Sequence, residues 1–282
     1  MLPEFRSDMD PHELERIVRT AFAEDLPDIT SEAIFAPSDR GAAKFLMKAE
    51  GVIAGLAAIE TVFRLLDESA RVRLHAEDGD AVAPGDVIAE VEASVIALLS
   101  GERTALNLLQ RASGIATATR RYVDAVRGTR ARIYDTRKTA PGLRMLDKEA
   151  VRAGGGENHR IGLHDMFLVK NNHVDRAGSI TAAVQRIRAK QMPQPIMVEV
   201  RNRKELDEAL AQTPDFILLD NMSHDEMCEA VERTAGRVPL EASGGITLDT
   251  IRAVAETGVD RISIGALTHS VTALDISMRI HR

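Results

Sequence analysis

Apolar and polar positions along this chain follow two rhythms, and the change comes near residue 105. Before it, AAKFLMKAE (42–50) and ARVRLHAE (70–77) alternate in the manner of half-buried antiparallel strands. A helix is predicted from Asp10 as N-cap, Pro11 as first helical residue and Glu13 as capping-box partner, and another over GLAAIETVFRLLD (55–67). Two turn signals, Asp78-Gly79 and Pro84-Gly85, separate short strands in EDGDAVAPGDVIAEVEAS. Residues 1–105 therefore read as a mixed α+β domain.

From Glu102 to Arg127 the pattern becomes helical, with Gly114 predicting a break or a close contact, since glycine costs about 1 kcal/mol there relative to alanine. Six short apolar runs follow: ARIYD, MFLVK, PIMVEV, DFILLD, VPLEAS and RISIG. Helical stretches such as RKELDEALAQT, HDEMCEAVERT and LDTIRAVAETG lie between most of them. Strands apolar on both faces alternating with amphipathic helices predict a parallel α/β sheet, and the repeat interval suits a barrel over residues 106–270. No GxGxxG follows the first strand, which counts against a dinucleotide site. Residues 271–282 are expected to form a C-terminal helix packing back on the N-terminal domain.

Composition narrows the function classes. The formal net charge is -7 and aromatics are only 3%, without Trp, so a broad nucleic-acid-binding face is excluded. One cysteine, Cys228, precludes an internal disulfide and fits a reducing, cytoplasmic setting. No stretch approaches a membrane span and no signal-peptide core opens the chain. The glycine-rich hairpin resembles lipoyl or biotinyl carrier modules, but residues 76–101 contain no lysine to bear such a group, so its role is structural.

Against the acidic balance, residues 135–173 collect Arg137, Lys138, Arg144, Lys148, Arg152, Arg160 and Lys170 around three adjacent glycines. Arginine forks and glycine-exposed amides suit small polyanions, carboxylates or phosphates. The predicted strands end in Asp135, Lys170, Glu199, Asp220, Ser243 and Gly265, and in a barrel those ends converge on one face. The SGG of residues 243–245, ahead of a helix from about Thr247, and the IGA of residues 264–266 are placed where barrels commonly hold a phosphate. No His/Cys/Asp/Glu spacing suggests a structural zinc site.

These pieces resemble the quinolinate phosphoribosyltransferases. The matching segments are GERTALNLLQRASGIAT, DTRKTAPGLR, AVRAGGGENHRIGLHD, LVKNNHV, LLDN, EASGGI and GVDRISIGALTHS, in that order. The resemblance implies an N-terminal α/β sandwich, an incomplete C-terminal barrel, and a homodimer whose active sites are shared between subunits. It implies transfer of phosphoribosyl from phosphoribosyl pyrophosphate to quinolinate, with magnesium accompanying the pyrophosphate. Arg103 (from the partner subunit), Arg137, His159, Arg160 and Lys170 would meet the quinolinate carboxylates. Thr136, Lys138 and Lys170 would touch the phosphoribosyl donor. Glu199 and Asp220 would stabilise charge developing at the ribose and help hold magnesium, with Lys138 completing the catalytic group. Ser243, Gly244, Gly245, Ile264, Gly265 and Ala266 would cradle the 5-phosphate. The chain departs from the family in its shortened AEDLPDIT segment, in keeping only Glu199 of a glutamate run beside Met197 and Arg201, and in Asn171 after Lys170. His164, His173 and His269 read as structural.

Two other functions compete: a transferase of the same fold using another acceptor, as in relatives associated with molybdenum-transport operons, and a Schiff-base lyase with Lys170 as nucleophile.

Overall fold

Asp10 caps the first helix as expected, its carboxylate accepting the His12 amide at 2.9 Å, with Pro11 next. Glu13 does not close a capping box; it pairs with Arg16 at 2.7 Å, one turn on. In the computed structural model, which describes residues 9–281, the chain divides into two units.

The elements run α1 (Pro11–Asp25), α2 (Ile29–Ile34), β1 (Arg40–Met47), β2 (Gly51–Val52), α3 (Ala57–Leu66), β3 (Arg71–Leu74), β4 (Ala81–Val82), β5 (Val87–Ser94) and α4 (Val95–Ala125). They continue with β6 (Arg132–Tyr134), α5 (Arg144–Ala153), β7 (Phe167–Val169), α6 (Asn171–Ala177), α7 (Ile180–Arg188), β8 (Ile196–Val200), α8 (Arg203–Ala211) and β9 (Phe216–Asp220). The last are α9 (His224–Thr234), β10 (Leu240–Ser243), α10 (Ile251–Glu256), β11 (Arg261–Ser263), α11 (Ala266–His269) and β12 (Ile276–His281).

One unit holds residues 9–120, 138–155 and 266–281. Its four-stranded antiparallel sheet has the order β12-β1-β5-β3, and β2 pairs with β4 separately. The inner face of the sheet meets α3 through Phe45 and Phe63, whose rings stand edge to face with centroids 6.1 Å apart. The C-terminal segment is a strand and not the helix expected: Ile276–His281 pairs antiparallel with Met47–Ala42. The alternation in ISMRIH suits an edge beside β1, and six backbone pairings outweigh the helical preference of so short a piece.

Helix α4 is continuous from Val95 through Gly114, with no break there. The glycine serves the close contact instead: a Cβ at Gly114 would collide with the Thr272 carbonyl. The division between units falls after residue 120 within α4, later than 105, and residues 138–155 group with the antiparallel sheet. Arg111 holds that segment, its guanidinium donating to Asp147 at 2.8 Å and to the Thr268 carbonyl at 3.1 Å. Lys148 from the basic stretch is fully buried within this unit.

The other unit, residues 121–137 and 156–265, contains the six predicted strands in one parallel sheet of order β6-β11-β10-β9-β8-β7. It is an incomplete α/β barrel. Every residue of β8 is buried, as a strand covered on both faces requires. Met166, Met197, Phe216 and Leu218 form an apolar cluster in its interior.

Candidate active site

The parallel register aligns the strand ends. Val169 pairs with Val198, so the next step sets Lys170 beside Glu199; Asp220 pairs with Ser243, and Ser243 with Ser263. Lys170, Glu199, Asp220 and Ser243 therefore share one edge of the sheet, its C-terminal edge. Lys170 is exposed, Glu199 is 8% exposed and Asp220 half-buried. Glu199 accepts the Asn171 amide at 3.3 Å, which ties it to the start of α6, while the Asn171 carbonyl oxygen of the side chain is buried without a partner.

Asp135 has a different task from the other strand-end residues. It is fully buried and accepts from Asn158 Nδ2 at 2.8 Å and from the His159 amide at 2.7 Å. The backbone of Glu157 pairs with both Ile133 and Asp135, so residues 157–160 run alongside the end of β6. Asp165 closes the following loop by accepting the Ile161 and Gly162 amides at 2.6 and 3.1 Å. These bonds give Asp135, at the end of β6, and Asp165, at the end of the ENHRIGLHD segment, their roles in holding the loop.

The loop presents Arg160, which is 7% exposed and donates to the Met166 carbonyl at 3.0 Å. Burial pushes its pKa down, and the charge of nearby Arg137 pushes the same way, against a smaller pull from Asp165. Arg137 Nε is itself buried without a hydrogen-bond partner. Arg160 is nearly free of solvent and Arg137 half-buried, and each guanidinium retains unused donors. His159 is also buried, but both its ring nitrogens face groups of the chain: Nδ1 accepts the Arg160 amide at 2.7 Å and Nε2 lies 3.4 Å from Glu241. Thr136 is half-buried between the end of β6 and Arg137.

After β10, Gly244 and Gly245 adopt φ of +102° and +62°, a conformation that costs little only for glycine. A Cβ at Gly244 would also strike the Asn221 side chain. Asn221 donates to Asp220 at 2.9 Å and, through its amide, to the Ser243 carbonyl at 2.9 Å, locking the two neighbouring strand ends together. The helix expected from Thr247 begins at Ile251; a turn comes first, with the Thr247 amide donating to Thr250 Oγ1 at 3.0 Å. Ile264 is buried, its amide bonded to the Tyr134 carbonyl, and Gly265 ends the unit.

Three of the residues named from sequence fall in the unit of the antiparallel sheet: Arg103, exposed on α4; Lys138, exposed and with its carbonyl accepting from Thr268 Oγ1 at 3.0 Å; and Ala266, the first residue of α11. His173 has a structural task, its Nδ1 accepting the Lys170 amide at 2.9 Å as part of the α6 cap. His269 Nδ1 lies 2.7 Å from Ser270 Oγ, and His164 is exposed.

Sequence reasoning missed a charged group inside the barrel: Glu241 with Arg261, and Tyr134 with Glu157. Its signal was present, since Glu241 and Arg261 are charges within runs otherwise read as apolar on both faces.

Comparison with known proteins agrees with this geometry. The model of the quinolinate phosphoribosyl transferase N-terminal domain matches residues 28–113, and that of the C-terminal domain residues 115–279. A probable nicotinate-nucleotide pyrophosphorylase [carboxylating] of Bacillus subtilis is 46% identical over 275 residues, covering 96% of this chain and 95% of its own. The corresponding Mycobacterium leprae protein is 44% identical over 272 residues, covering 93% and 95%. The crystal structure of NadC from Streptococcus pyogenes superposes with a TM-score of 0.93 at 38% identity, covering 98% of this chain and 99% of that one. With both domains matched, in order and over nearly the whole length, the chain belongs to the quinolinate phosphoribosyltransferase family.

Proposed function

We propose that the chain transfers phosphoribosyl from phosphoribosyl pyrophosphate to quinolinate with decarboxylation, giving nicotinate mononucleotide, pyrophosphate and carbon dioxide for NAD synthesis. The Arg137–Arg160 pair carries this reading. Two like charges in a largely dry space are unfavourable until an anion joins them, and quinolinate offers two adjacent carboxylates. Lys170 at the next strand end, and Arg103 from a partner subunit, complete the acceptor site in a homodimer with shared active sites.

Lys138, Lys170 and Thr136 meet the phosphoribosyl donor, and its 5-phosphate lies against Ser243, Gly244, Gly245, Ile264, Gly265 and Ala266. Where a Cβ would stand at Gly245 the space is open, which leaves room for a phosphate to approach the backbone. Glu199 and Asp220 sit where fixed carboxylates can stabilise positive charge growing on the ribose carbon as pyrophosphate departs.

Magnesium fits the donors present. Glu199 and Asp220 supply hard carboxylate oxygens, and among the described residues no group of three or more His, Cys, Asp or Glu is arranged around a metal. The protein thus offers part of a coordination shell, with substrate phosphates and water supplying the rest. When bound, magnesium neutralises charge on the pyrophosphate leaving group. Among the described residues no helix is long and apolar enough to cross a membrane, and the single Cys228 suits the reducing cytoplasm in which we place the protein.

The test is an assay with quinolinate, phosphoribosyl pyrophosphate and magnesium, followed for pyrophosphate and carbon dioxide together. Equal release of both is expected. Product from nicotinate but none from quinolinate would assign a different acceptor.

A further inference from the structure

Glu241 lies on β10, two residues before Ser243, and has no exposed surface. One carboxylate oxygen is 3.4 Å from His159 Nε2, and the other is 3.4 Å from Arg261 Nε. Neither oxygen has a hydrogen-bond partner, so both are ion-pair contacts. Arg261 is held by aromatic faces, its guanidinium carbon 3.8 Å from the Tyr134 ring centre and 4.5 Å from that of Phe216. Burial pushes the Glu241 carboxyl up, but His159, then Arg261 and Ser263, pull it down further, so it stays ionised. A buried ion pair of this loose geometry adds little to stability compared with apolar packing. Its presence in the barrel interior calls for another role.

The opposite side of His159 supplies one. Nδ1 accepts the Arg160 amide at 2.7 Å, so a neutral ring carries its hydrogen on Nε2, the nitrogen 3.4 Å from Glu241. The imidazole is then set between the Arg160 amide at Nδ1 and the Glu241 carboxylate at Nε2. What it controls is the residue that has donors: Arg160, which spends one guanidinium bond on the Met166 carbonyl and keeps the rest of its fork.

We propose that Glu241 is a positioning residue for the acceptor site: it fixes the His159 ring, which fixes the Arg160 backbone and so aims the Arg160 guanidinium. Its substrate, quinolinate, rests on the transferase reading; the coupling itself is between residues of this chain. Glu241 touches neither substrate.

The test compares Glu241→Met, which removes charge and acceptor, with Glu241→Gln, which keeps an acceptor for the imidazole N–H. Both are made in an Arg261→Met background, so that no buried cation is orphaned and the variants fold. The Met variant is expected to raise KM for quinolinate about tenfold and leave KM for phosphoribosyl pyrophosphate within about twofold. The Gln variant should recover most of that loss. Equal behaviour of Met and Gln, or equal rises in both Michaelis constants, overturns the proposal. With His159→Phe already present, Glu241→Met should change the quinolinate KM no further, and an additive rise overturns it too. Wild-type protein that consumes no quinolinate would sink the transferase reading instead. The coupling is then still decided by His159 ring resonances in protein labelled with 15N-histidine: a single fixed Nε2–H ring in wild type, averaged signals in Glu241→Met. Unchanged signals overturn the coupling.

Discussion

An arginine fork stripped of most of its water is satisfied by a partner of matching charge and shape. Arg160 is such a group, 7% exposed with Arg137 beside it. Arg160→Ala is expected to raise the quinolinate KM by the equivalent of about 2–5 kcal/mol, the range for one partner lost from a buried charge pair. Steady-state kinetics at saturating phosphoribosyl donor measures it, and a KM near the wild-type value would remove Arg160 from the acceptor site. Arg160→Lys keeps the charge but not the bidentate geometry, so it should recover only part of the loss. Gly244 is constrained by backbone and not by charge. At φ +102° and against Asn221, Gly244→Ala should destabilise by about 1–3 kcal/mol and weaken phosphoribosyl pyrophosphate binding. Thermal unfolding and donor titration check the two effects; an unshifted melting temperature would show that the loop relaxes freely.

Elements in the antiparallel unit are joined by single polar side chains at their ends. Asp67, just past α3, accepts from Ser69 Oγ at 2.6 Å, the Ser94 amide at 2.8 Å and Arg40 at 2.6 Å. It therefore binds the end of α3 to the end of β5 and the start of β1. The Ser69 hydroxyl foremost, opposed by burial and helped by Ser94 and Arg40, holds its pKa down to about 2 from 3.8. A depressed carboxyl pKa contributes stability that is fully present above the unfolded value and disappears as pH falls through the folded one. Wild type should thus be more stable than Asp67→Asn at neutral pH, with the gap closing between about pH 4 and about pH 2. Denaturant unfolding of both proteins across that range tests it, and a constant gap would mean the bonds do not depend on the charge.

At the scale of the whole molecule, the residues proposed for acceptor and donor are drawn from both structural units. Arg103, Lys138 and Ala266 belong to the antiparallel-sheet unit; Arg137, Arg160, Glu199 and Asp220 belong to the barrel unit. If Arg103 serves a partner's site, subunits carrying Arg103→Ala and subunits carrying Asp220→Ala, each nearly inactive alone, should restore activity when mixed and reassembled. Random pairing leaves one intact site in half of the dimers, so about a quarter of wild-type activity is expected. No recovery after verified subunit exchange would place Arg103 in its own subunit's site.

Much of this was legible in the chain. The six barrel strands, their alternation with helices and the placement of Lys170, Glu199, Asp220 and Ser243 at one edge are local properties, set by apolar runs whose length and spacing repeat. The glycines after β10 announced their conformation because few other residues adopt it. Tertiary structure alone decided the rest. ISMRIH became a strand because β1, far earlier in the chain, had an unpaired edge to offer. Asp135, read as one of the strand-end groups converging on the active face, is buried and bonded to Asn158 and the His159 amide, and Lys148, counted with the anion-binding stretch, is buried too. His159, named for substrate contact, has both nitrogens turned to Arg160 and Glu241, a pairing created only when β6 and β10 enter the same sheet. Periodicity reports which face a residue occupies; it carries no information about which distant charge will meet it there.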